Sequence, residues 1–412
     1  MLRFAPRPTA DMDLDALRIA LLNFLAAKQR TEDFIVRIAD TDKEKNIEGK
    51  DQEIFDIVSV FGITYTQSLY ESQNFRFHSA MALDLLHKKK AFSCFCSDEW
   101  LENKKKEAQE KNIPYYYDDA CRNLPAELVI DNENPFRIRI VRPSGDIVHG
   151  VDSFVIMNQD KTPTYDFATG VDDMLNDISL VITLENEQHA TYKHQYIRDS
   201  LGYDKEIEYI YISSLQNQEN YTIKGLLEAG YLPDAISNYL ISLSCTPPCE
   251  IFTLQEALAW FDYKTITTTT TSFDLAKLQY YNKEHLKKLD PKELSRYVGF
   301  ADADIGKLAR LYIDTVTTTK ELKKVIEPIF APRNIPNEMQ EDITKIQECL
   351  QQAPYCDDYE AFVSYIHEQT NIPLQQLHQE LRVLLTNNTQ ETPELSSVYD
   401  ALKNYIGEII KK

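Results

Sequence analysis

The sequence lacks the long hydrophobic runs that a membrane-spanning segment requires. No apolar stretch approaches the roughly 18 residues needed to cross a bilayer, and the amino terminus shows no signal-peptide pattern. Seven cysteines are scattered over 412 residues, so no disulfide framework is expected. We therefore expect a globular, cytoplasmic protein with no membrane contact, and its length predicts about two to three domains.

Several catalytic signatures are also missing. The sequence contains no G-x-x-x-x-G-K phosphate loop, no H-E-x-x-H metal motif and no G-x-S-x-G nucleophile turn. Its eight histidines are dispersed, and Cys245 and Cys249 enclose two prolines, which is typical of a turn rather than of a redox C-x-x-C pair. The sequence therefore does not support a P-loop nucleotide hydrolase, a zinc metalloprotease of the H-E-x-x-H type or a serine esterase with a G-x-S-x-G turn.

Positive charge is scarce. The formal net charge is −21, whereas a nucleic-acid-binding surface requires a basic face that displaces counterions. The densest basic runs are the lysines at 88–90 and 104–106, and each is equally typical of the solvated end of a helix. Any contact with RNA must therefore be local.

The first thirty residues predict a strand, a turn and a helix. A short apolar strand at 2–5 meets Pro6 and Pro8, which fix φ and exclude helix. Behind Asp11 and Asp13, apolar residues recur at helical spacing as far as Lys28. The acidic residues cap this helix and complement its dipole, so a capped core helix without a ligand is one interpretation of the pattern.

Strand and helix patterns then alternate along the chain. Further strands are predicted at 34–38, 63–65, 136–142 and 207–212, and helices at 52–61, 78–90 and 254–261. This alternation favours a parallel, doubly wound sheet. A threonine-rich linker at 267–271 separates predicted helices, and the remaining sequence is mostly helical.

Three cysteines have a spacing that could serve a metal. Cys94 and Cys96 are one residue apart, and Cys121 follows after a charged helix, so three corners of a tetrahedron could be supplied. The alternative is that the three are reduced thiols that pack as small hydrophobic groups.

The segments that open the chain resemble the glutamyl-tRNA synthetases, which are class I aminoacyl-tRNA synthetases. The strand and turn keep Arg3, Phe4, Ala5, Pro6, Pro8 and Thr9 of that family's R-F-A-P-S-P-T-G pattern. The similarity to the family pattern returns at 162–174 and 225–236, and a weaker similarity is present at 384–396. The resemblance implies a Rossmann-like α/β catalytic domain over 1–240 with an inserted cysteine-containing lobe at about 90–160, a helical connection over 241–304, and an all-α anticodon-binding-like region over 305–412.

The residues that would contact ligands depart from the family pattern. Arg3, Ala5 and Tyr165 match positions of the substrate pocket. Arg7 replaces a serine, and Asp13 and Asp15 lie within the four positions of the HIGH-type signature, whose imidazoles meet ATP phosphates. At a few ångströms each carboxylate would repel a phosphate charge by roughly 3–4 kcal/mol.

The remaining departures affect the amino acid and the pyrophosphate. Ala39 replaces the glutamate that helps to recognise the substrate's amino group, and Thr183 stands where an arginine would hold its side chain. The family's KMSKS-type loop would follow the strand at 207–212, but no lysine occurs there before Lys224. The segment after Gly145 is also shorter than the family pattern.

The resemblance also sharpens the metal hypothesis. Some members of the family bind zinc through a C-x-C pair, a tyrosine and a cysteine four residues after it. Those positions are Cys94, Cys96, Tyr117 and Cys121 in this sequence. Whether zinc occupies them stays open, because phenolate is a poor zinc ligand.

Two functional hypotheses follow. The favoured one is a non-catalytic paralogue of glutamyl-tRNA synthetase, a monomer that binds tRNA weakly or binds a protein partner. The alternative is an active glutamate–tRNA ligase that uses substituted site residues together with ATP and Mg²⁺. Whether the chain is an enzyme therefore stays open, with the substitutions favouring a non-enzyme.

Overall fold

The computed structural model describes residues 1–144, 147 and 149–409, and its regular elements begin with two sheets. The strands are β1 (Leu2–Phe4), β2 (Phe34–Ile38), β3 (Gln67–Tyr70), β4 (Ala91–Cys94), β5 (Arg137–Ile140), β6 (Val155–Met157), β7 (Leu180–Leu184) and β8 (Glu208–Ile212). One sheet has the order β3-β2-β1-β7-β8 with parallel pairing throughout. The other is antiparallel with the order β4-β5-β6.

Helices connect and follow these strands. They are α1 (Leu14–Arg30), α2 (Lys50–Val60), α3 (Phe75–His87), α4 (Asp98–Glu110), α5 (Ala126–Ile130), α6 (Tyr165–Leu175), α7 (Gln188–Leu201), α8 (Ile223–Ala229), α9 (Pro233–Ser242), α10 (Leu254–Ala257), α11 (Leu275–Lys288), α12 (Pro291–Tyr297), α13 (Ala303–Arg310), α14 (Thr319–Ile326), α15 (Gln340–Leu350), α16 (Tyr359–Thr370), α17 (Leu374–Thr386), α18 (Leu395–Leu402) and α19 (Ile406–Ile409). None of the described helices combines the length and the apolar character needed to cross a membrane.

The predicted strand, turn and helix at the start of the chain are confirmed. Asp13 caps α1, because its carboxylate accepts a 2.7 Å hydrogen bond from the backbone N–H of Ala16. Thr31 ends the helix in the left-handed conformation. The helix is buried along most of its length, and it contacts β1, β2 and β7.

Two predicted elements are wrong. The strand expected at 63–65 is an irregular connection, and the strand β3 forms instead at Gln67–Tyr70. It lies at the sheet edge with its first two side chains exposed, so its sequence lacks an apolar pattern. The helix expected at 254–261 ends at Ala257, because the bonds that follow, such as Trp260 N–H to the Ala257 carbonyl, are those of a tighter turn.

The chain forms two compact units whose ranges interleave. The first comprises 1–224, 240–250 and 254–273, and the second comprises 225–239, 251–253 and the residues from 274 onward. In the described part of the second unit, regular secondary structure is helical, as predicted. The predicted domain boundaries at 240 and 304 stay predictions.

Each unit has its own hydrophobic core. In the first, α3, α6 and α7 pack with the antiparallel sheet through a cluster that includes Leu85, Ile140, Phe154, Phe167 and Ile197. In the second, apolar side chains of α12 to α18 form a larger cluster. The parallel sheet of the first unit is the element that positions the candidate site.

Candidate functional site

A cavity of about 350 Å³ opens at the carboxyl ends of β1 and β7. The strand order of the parallel sheet reverses between these two strands, since β2 and β3 lie on one side of β1 and β7 and β8 on the other. Ligands in open α/β sheets bind at such a switch point, because the loops leave the two strands in opposite directions. The fold therefore provides a substrate-sized cleft at the place where α1 begins.

Most of the predicted site residues line this cavity. They are Arg3, Ala5, Arg7, Asp13, Asp15, Tyr165 and Thr183. Ala39 is buried beyond the end of β2 and is not one of the lining residues. Its backbone N–H donates to the carbonyl of Pro6, so this position fixes the turn after β1.

Arg3 belongs to a buried network of charges behind the cavity. Its guanidinium donates two hydrogen bonds, of 2.6 and 2.8 Å, to the carboxylate of Asp173. Arg37 lies 2.8 Å from the same carboxylate and 3.2 Å from that of Glu71. Burial alone would raise the pKa of Asp173, but the two guanidiniums hold it well below its usual value. Burial raises the pKa of Glu71 to about 7, which outweighs the opposing effect of Arg37.

Arg7 occupies the mouth of the cavity. Its guanidinium carbon lies 3.8 Å from the centroid of the Tyr165 ring, which is a cation–π contact. Among the described residues, no carboxylate lies within ion-pair distance of Arg7. Burial alone would lower its pKa, but the Tyr165 hydroxyl, and to a smaller extent Glu187 and Asp166, raise the pKa above its usual value. Arg7 therefore brings a positive charge to this wall, where Thr183 contributes none.

The first turn of α1 carries the two acidic residues predicted to oppose phosphate. Asp13 lines the cavity while it caps the helix, and burial raises its pKa. Asp15 is different, because its carboxylate accepts hydrogen bonds from the Ser214 hydroxyl (2.5 Å), the Leu215 N–H (3.0 Å) and the Gln218 amide (2.6 Å). Only Asp13 can therefore face a ligand freely, and the expectation that both acids do so is corrected.

The segment after β8 is consequently fastened to α1. Besides the three bonds to Asp15, the buried guanidinium of Arg18 donates to the carbonyl of Ser213 at 3.0 Å. This is the segment in which the resemblance places pyrophosphate-binding lysines. The lysine that follows it, Lys224, lies 3.4 Å from the carboxylate of Glu53.

A histidine on α7 completes the cavity wall. His194 is buried, and its Nε2 lies 3.2 Å from the carboxylate of Asp166. Burial lowers the pKa of His194, so the imidazole is neutral near pH 7. Its Nδ1 has no hydrogen-bond partner in the described structure.

The three cysteines and the tyrosine of the metal hypothesis converge in the described structure. The sulfurs of Cys94, Cys96 and Cys121 lie within 4.8 Å of one another, and those of Cys96 and Cys121 are 3.6 Å apart. The hydroxyl of Tyr117 is 3.4 Å from the sulfurs of both Cys94 and Cys96. The predicted convergence is confirmed.

These spacings fit a tetrahedral zinc ion. Zinc bonds of about 2.3 Å to sulfur and 2.0 Å to oxygen place two sulfurs about 3.8 Å apart and sulfur and oxygen about 3.5 Å apart. Arg139 donates to the sulfur of Cys94 at 3.3 Å and stacks 3.8 Å over Tyr117, so it would offset the negative charge of the thiolates that a bound zinc ion requires. Burial opposes ionisation of Cys94, but its hydrogen bonds, including that from Arg139, hold its pKa below the usual value.

Sequence reasoning missed several residues at the cavity. Arg37 is a charged residue inside the otherwise apolar strand β2, and that contrast is a signal of a buried ion pair. Glu71, Asp173, Glu187 and His194 carried no comparable signal, because their partners or their positions on the cavity wall come from distant parts of the chain.

Comparison with protein families gives one extensive match. Residues 1–280 match the model described as "tRNA synthetases class I (E and Q), catalytic domain". That range covers more than half of the chain.

Curated relatives match from end to end. Glutamate–tRNA ligase 2 of Sulfurimonas denitrificans is 49% identical over 433 residues, and glutamate–tRNA ligase 1 of a Nitratiruptor species is 40% identical, each comparison covering 100% of both chains. Because the first alignment spans 433 positions and this chain has 412 residues, at least 21 of its positions are gaps in this chain. The comparison does not locate those gaps.

Solved structures show the same fold. The glutamate tRNA ligase of Elizabethkingia meningosepticum, described as in complex with its amino acid, matches with a TM-score of 0.78 at 20% identity, covering 99% of this chain and 98% of that one. The glutamate-tRNA synthetase of Elizabethkingia anophelis matches with a TM-score of 0.76 at 20% identity and the same coverage.

Proposed function

The chain belongs to the glutamyl-tRNA synthetase family of class I synthetases, and from that premise we propose that it is a non-catalytic member that binds tRNA without forming glutamyl adenylate. The observation that carries the proposal is the structure around the first turn of α1. Asp13 caps the helix and lines the cavity at a helix start where the family pattern has imidazoles, and Asp15 holds the segment that would carry lysines.

The charges at this turn oppose ATP. A helix N-terminus attracts phosphate through its free N–H groups, but Asp13 occupies one of them, and a carboxylate a few ångströms away repels each phosphate charge by roughly 3–4 kcal/mol. The loss of one group that stabilises transition-state charge typically costs about 2.7–4 kcal/mol. Since the histidines and lysines of two family motifs are absent together, the expected loss in rate spans many orders of magnitude.

The second candidate is an active glutamate–tRNA ligase, and the comparisons favour it. Relatives with that name match this chain over its whole length, and nothing in the comparisons indicates loss of activity. The cavity at the switch point, with Arg3 and Tyr165 on its wall, is also present. A ligase of this kind would use ATP and Mg²⁺ and would need replacements for the missing phosphate-binding groups.

Glutamate-dependent ATP–pyrophosphate exchange, measured with and without tRNA, tests the choice. The S. denitrificans relative serves as the positive control. We expect exchange at background level, and we expect Asp13→His not to restore it, because the loop lysines are still missing. Exchange comparable to that of the control, and abolished by Arg3→Ala, would establish the ligase and overturn the proposal.

The tRNA part of the proposal needs its own measurement. The net charge of −21 repels phosphate, so we expect weak binding whose affinity falls steeply between two salt concentrations. An equal affinity for tRNA-Glu and an unrelated RNA in filter binding would exclude the tRNA role and leave a protein partner. The cytoplasmic location and the monomeric state stay predictions.

A further inference from the structure

Strand β5 carries two arginines, Arg137 and Arg139, on one face, and isoleucines alternate with them on the other. The strand lies beside β4, which carries Cys94, and its pairing with β6 shifts register at Arg139, an irregularity of the kind that re-aims a side chain. We propose that Arg139 is a positioning residue of the cysteine cluster at 94, 96 and 121, and that its charge and hydrogen bond set the affinity of the cluster for zinc. The proposal is independent of the proposed function, because it concerns metal binding and not adenylate formation.

Three contacts fix the guanidinium of Arg139. Its Nε donates to the sulfur of Cys94 at 3.3 Å, its Nη1 donates to the carbonyl of Ser153 at 2.8 Å, and its central carbon lies 3.8 Å from the centroid of the Tyr117 ring. Arg139 is 7% exposed and Cys94 is fully buried, so little water screens the interaction between them. The guanidinium is therefore held in one orientation, with an N–H group directed at a sulfur of the cluster.

The surroundings of the cluster explain why a cation is needed there. Three thiolates around one Zn²⁺ carry one net negative charge, and Cys94 and Tyr117 pack in an apolar cluster with Phe92 and Leu101. A net charge in such surroundings costs free energy unless an opposite charge pairs with it. Arg139 supplies that charge, and its N–H group satisfies a lone pair of the Cys94 sulfur that the metal does not use.

Arg137 provides a matched comparison on the same strand. It donates to the backbone carbonyl of Cys96 at 3.3 Å and pairs with the carboxylate of Asp98. Its charge is therefore already balanced, and it contacts the backbone of a cysteine without engaging the sulfur. Removal of this guanidinium changes the same strand and the same formal charge, so it separates the proposed role of Arg139 from a general effect of losing an arginine.

Competition between the full chain and a chelator for zinc measures the affinity. We expect Arg139→Met to weaken zinc binding by about 10- to 100-fold, which is typical of the loss of a group that orients a metal ligand. Arg139→Lys keeps the charge but loses the planar guanidinium, so its loss should be smaller, roughly tenfold or less. Arg137→Met should bind zinc almost as the parent does.

A purely structural role of Arg139 would leave the electronic state of a bound sulfur unchanged. Co²⁺ bound in place of zinc reports that state, because the energy of its sulfur-to-metal charge-transfer band depends on hydrogen bonds to the thiolate. We expect Arg139→Met to move this band to lower energy without lowering its intensity, which follows the number of bound thiolates. The band of Arg137→Met should coincide with that of the parent.

Three results would overturn the proposal. They are no zinc binding by the parent, equal zinc affinities of Arg139→Met and Arg137→Met, and a Co²⁺ band that Arg139→Met leaves unmoved. If Arg139→Met does not fold, Arg139→Lys decides, because an affinity and a band both equal to those of the parent would contradict the role of Arg139. Neither measurement uses ATP or glutamate, so ligase activity found separately would overturn the proposed function and leave this proposal standing.

Discussion

The cysteine cluster and the switch-point cavity are two polar regions of the same unit, and they differ in how closely their residues follow the family pattern. The cluster holds three thiols and a phenol at spacings that suit zinc. The cavity keeps its position and its buried charges, but the helix start beside it carries Asp13 and Asp15. The two regions of this unit therefore differ: the cysteine cluster matches the family pattern, and the helix start beside the cavity departs from it.

Removal of the metal ligands should give the largest effect. A cluster that binds no metal in the parent protein would remove the contrast between the two regions. We expect about one zinc per chain in protein purified without chelator, and almost none in a Cys96→Ser, Cys121→Ser double variant. Structural zinc contributes apparent binding free energies of about 10–16 kcal/mol in small domains, so the lobe should lose hydrogen-exchange protection. The control is Cys249→Ser, an exposed thiol elsewhere, which should keep the metal.

Arg37→Met should give the next largest effect, because the cavity side of the sheet depends on buried ion pairs. The substitution leaves Glu71 and Asp173 buried without this guanidinium, and we expect a loss of about 3–5 kcal/mol in the free energy of unfolding. Urea denaturation measures it. Lys45→Met, which removes an exposed pair with Asp42, should change stability by about 0.5 kcal/mol or less. Equal effects of the two variants would contradict the structural role of the buried network.

Glu71→Gln should change how stability depends on pH. The pKa of Glu71 is raised to about 7 in the folded chain, whereas an unfolded glutamate has a pKa near 4.5. The folded state therefore keeps this proton where the unfolded state has lost it, so the contribution of Glu71 to stability falls as pH rises from about 4.5 to 7. The variant should lack that fall, so by pH 8 its free energy of unfolding should rise relative to that of the parent by up to about 3 kcal/mol.

Denaturation at several pH values checks this expectation. Glu99→Gln, an exposed residue of α4, provides the matched control and should follow the pH profile of the parent. A Glu71→Gln profile that coincides with that of the parent would show that Glu71 is ionised in the folded chain across this range.

Asp15→Asn should give the smallest effect on global stability and the most local one. The amide keeps the shape of the carboxylate but has one acceptor oxygen instead of two and loses the charge that faces the buried Arg18 guanidinium at 3.4 Å. Because Arg18 keeps its hydrogen bonds to Ser244 and to the Ser213 carbonyl, we expect a loss of about 1–2 kcal/mol. Hydrogen exchange at the Leu215 amide should quicken, because its bond to Asp15 is weakened. Asp56→Asn, on the exposed face of α2, should leave that amide unchanged. Unaltered protection of Leu215 in Asp15→Asn would show that other contacts hold the segment.

Local patterns in the sequence predicted the elements around the site well. Pro6, Pro8 and the Asp13 cap each act through adjacent backbone, so the strand, turn and helix could be read directly. The convergence of Cys94, Cys96 and Cys121 came from spacing and resemblance, and it is confirmed. The edge strand β3 was missed because exposed polar residues give no period of two.

The arrangement of charges at the cavity could not be predicted in the same way. Arg3 and Asp173 are 170 residues apart, and Asp15 and Leu215 are 200 residues apart, so their pairing depends on the sheet topology. The sequence showed Asp15 as an acid near a phosphate site, whereas its carboxylate satisfies backbone and side-chain donors of another segment. Tertiary contacts therefore decided the chemistry of a residue whose local role had been predicted from its helix position alone.

The bonds between Asp15 and the segment at 214–218 also bear on how this site can evolve. A small residue at position 15 would leave the Leu215 N–H and the Gln218 amide without their acceptor, and a lysine-rich replacement of the segment would remove the side-chain donors Ser214 and Gln218 from the Asp15 carboxylate. Either change made first lowers stability before it can improve phosphate binding. The two substitutions are thus epistatic, and a return to the family motifs would require both to change together.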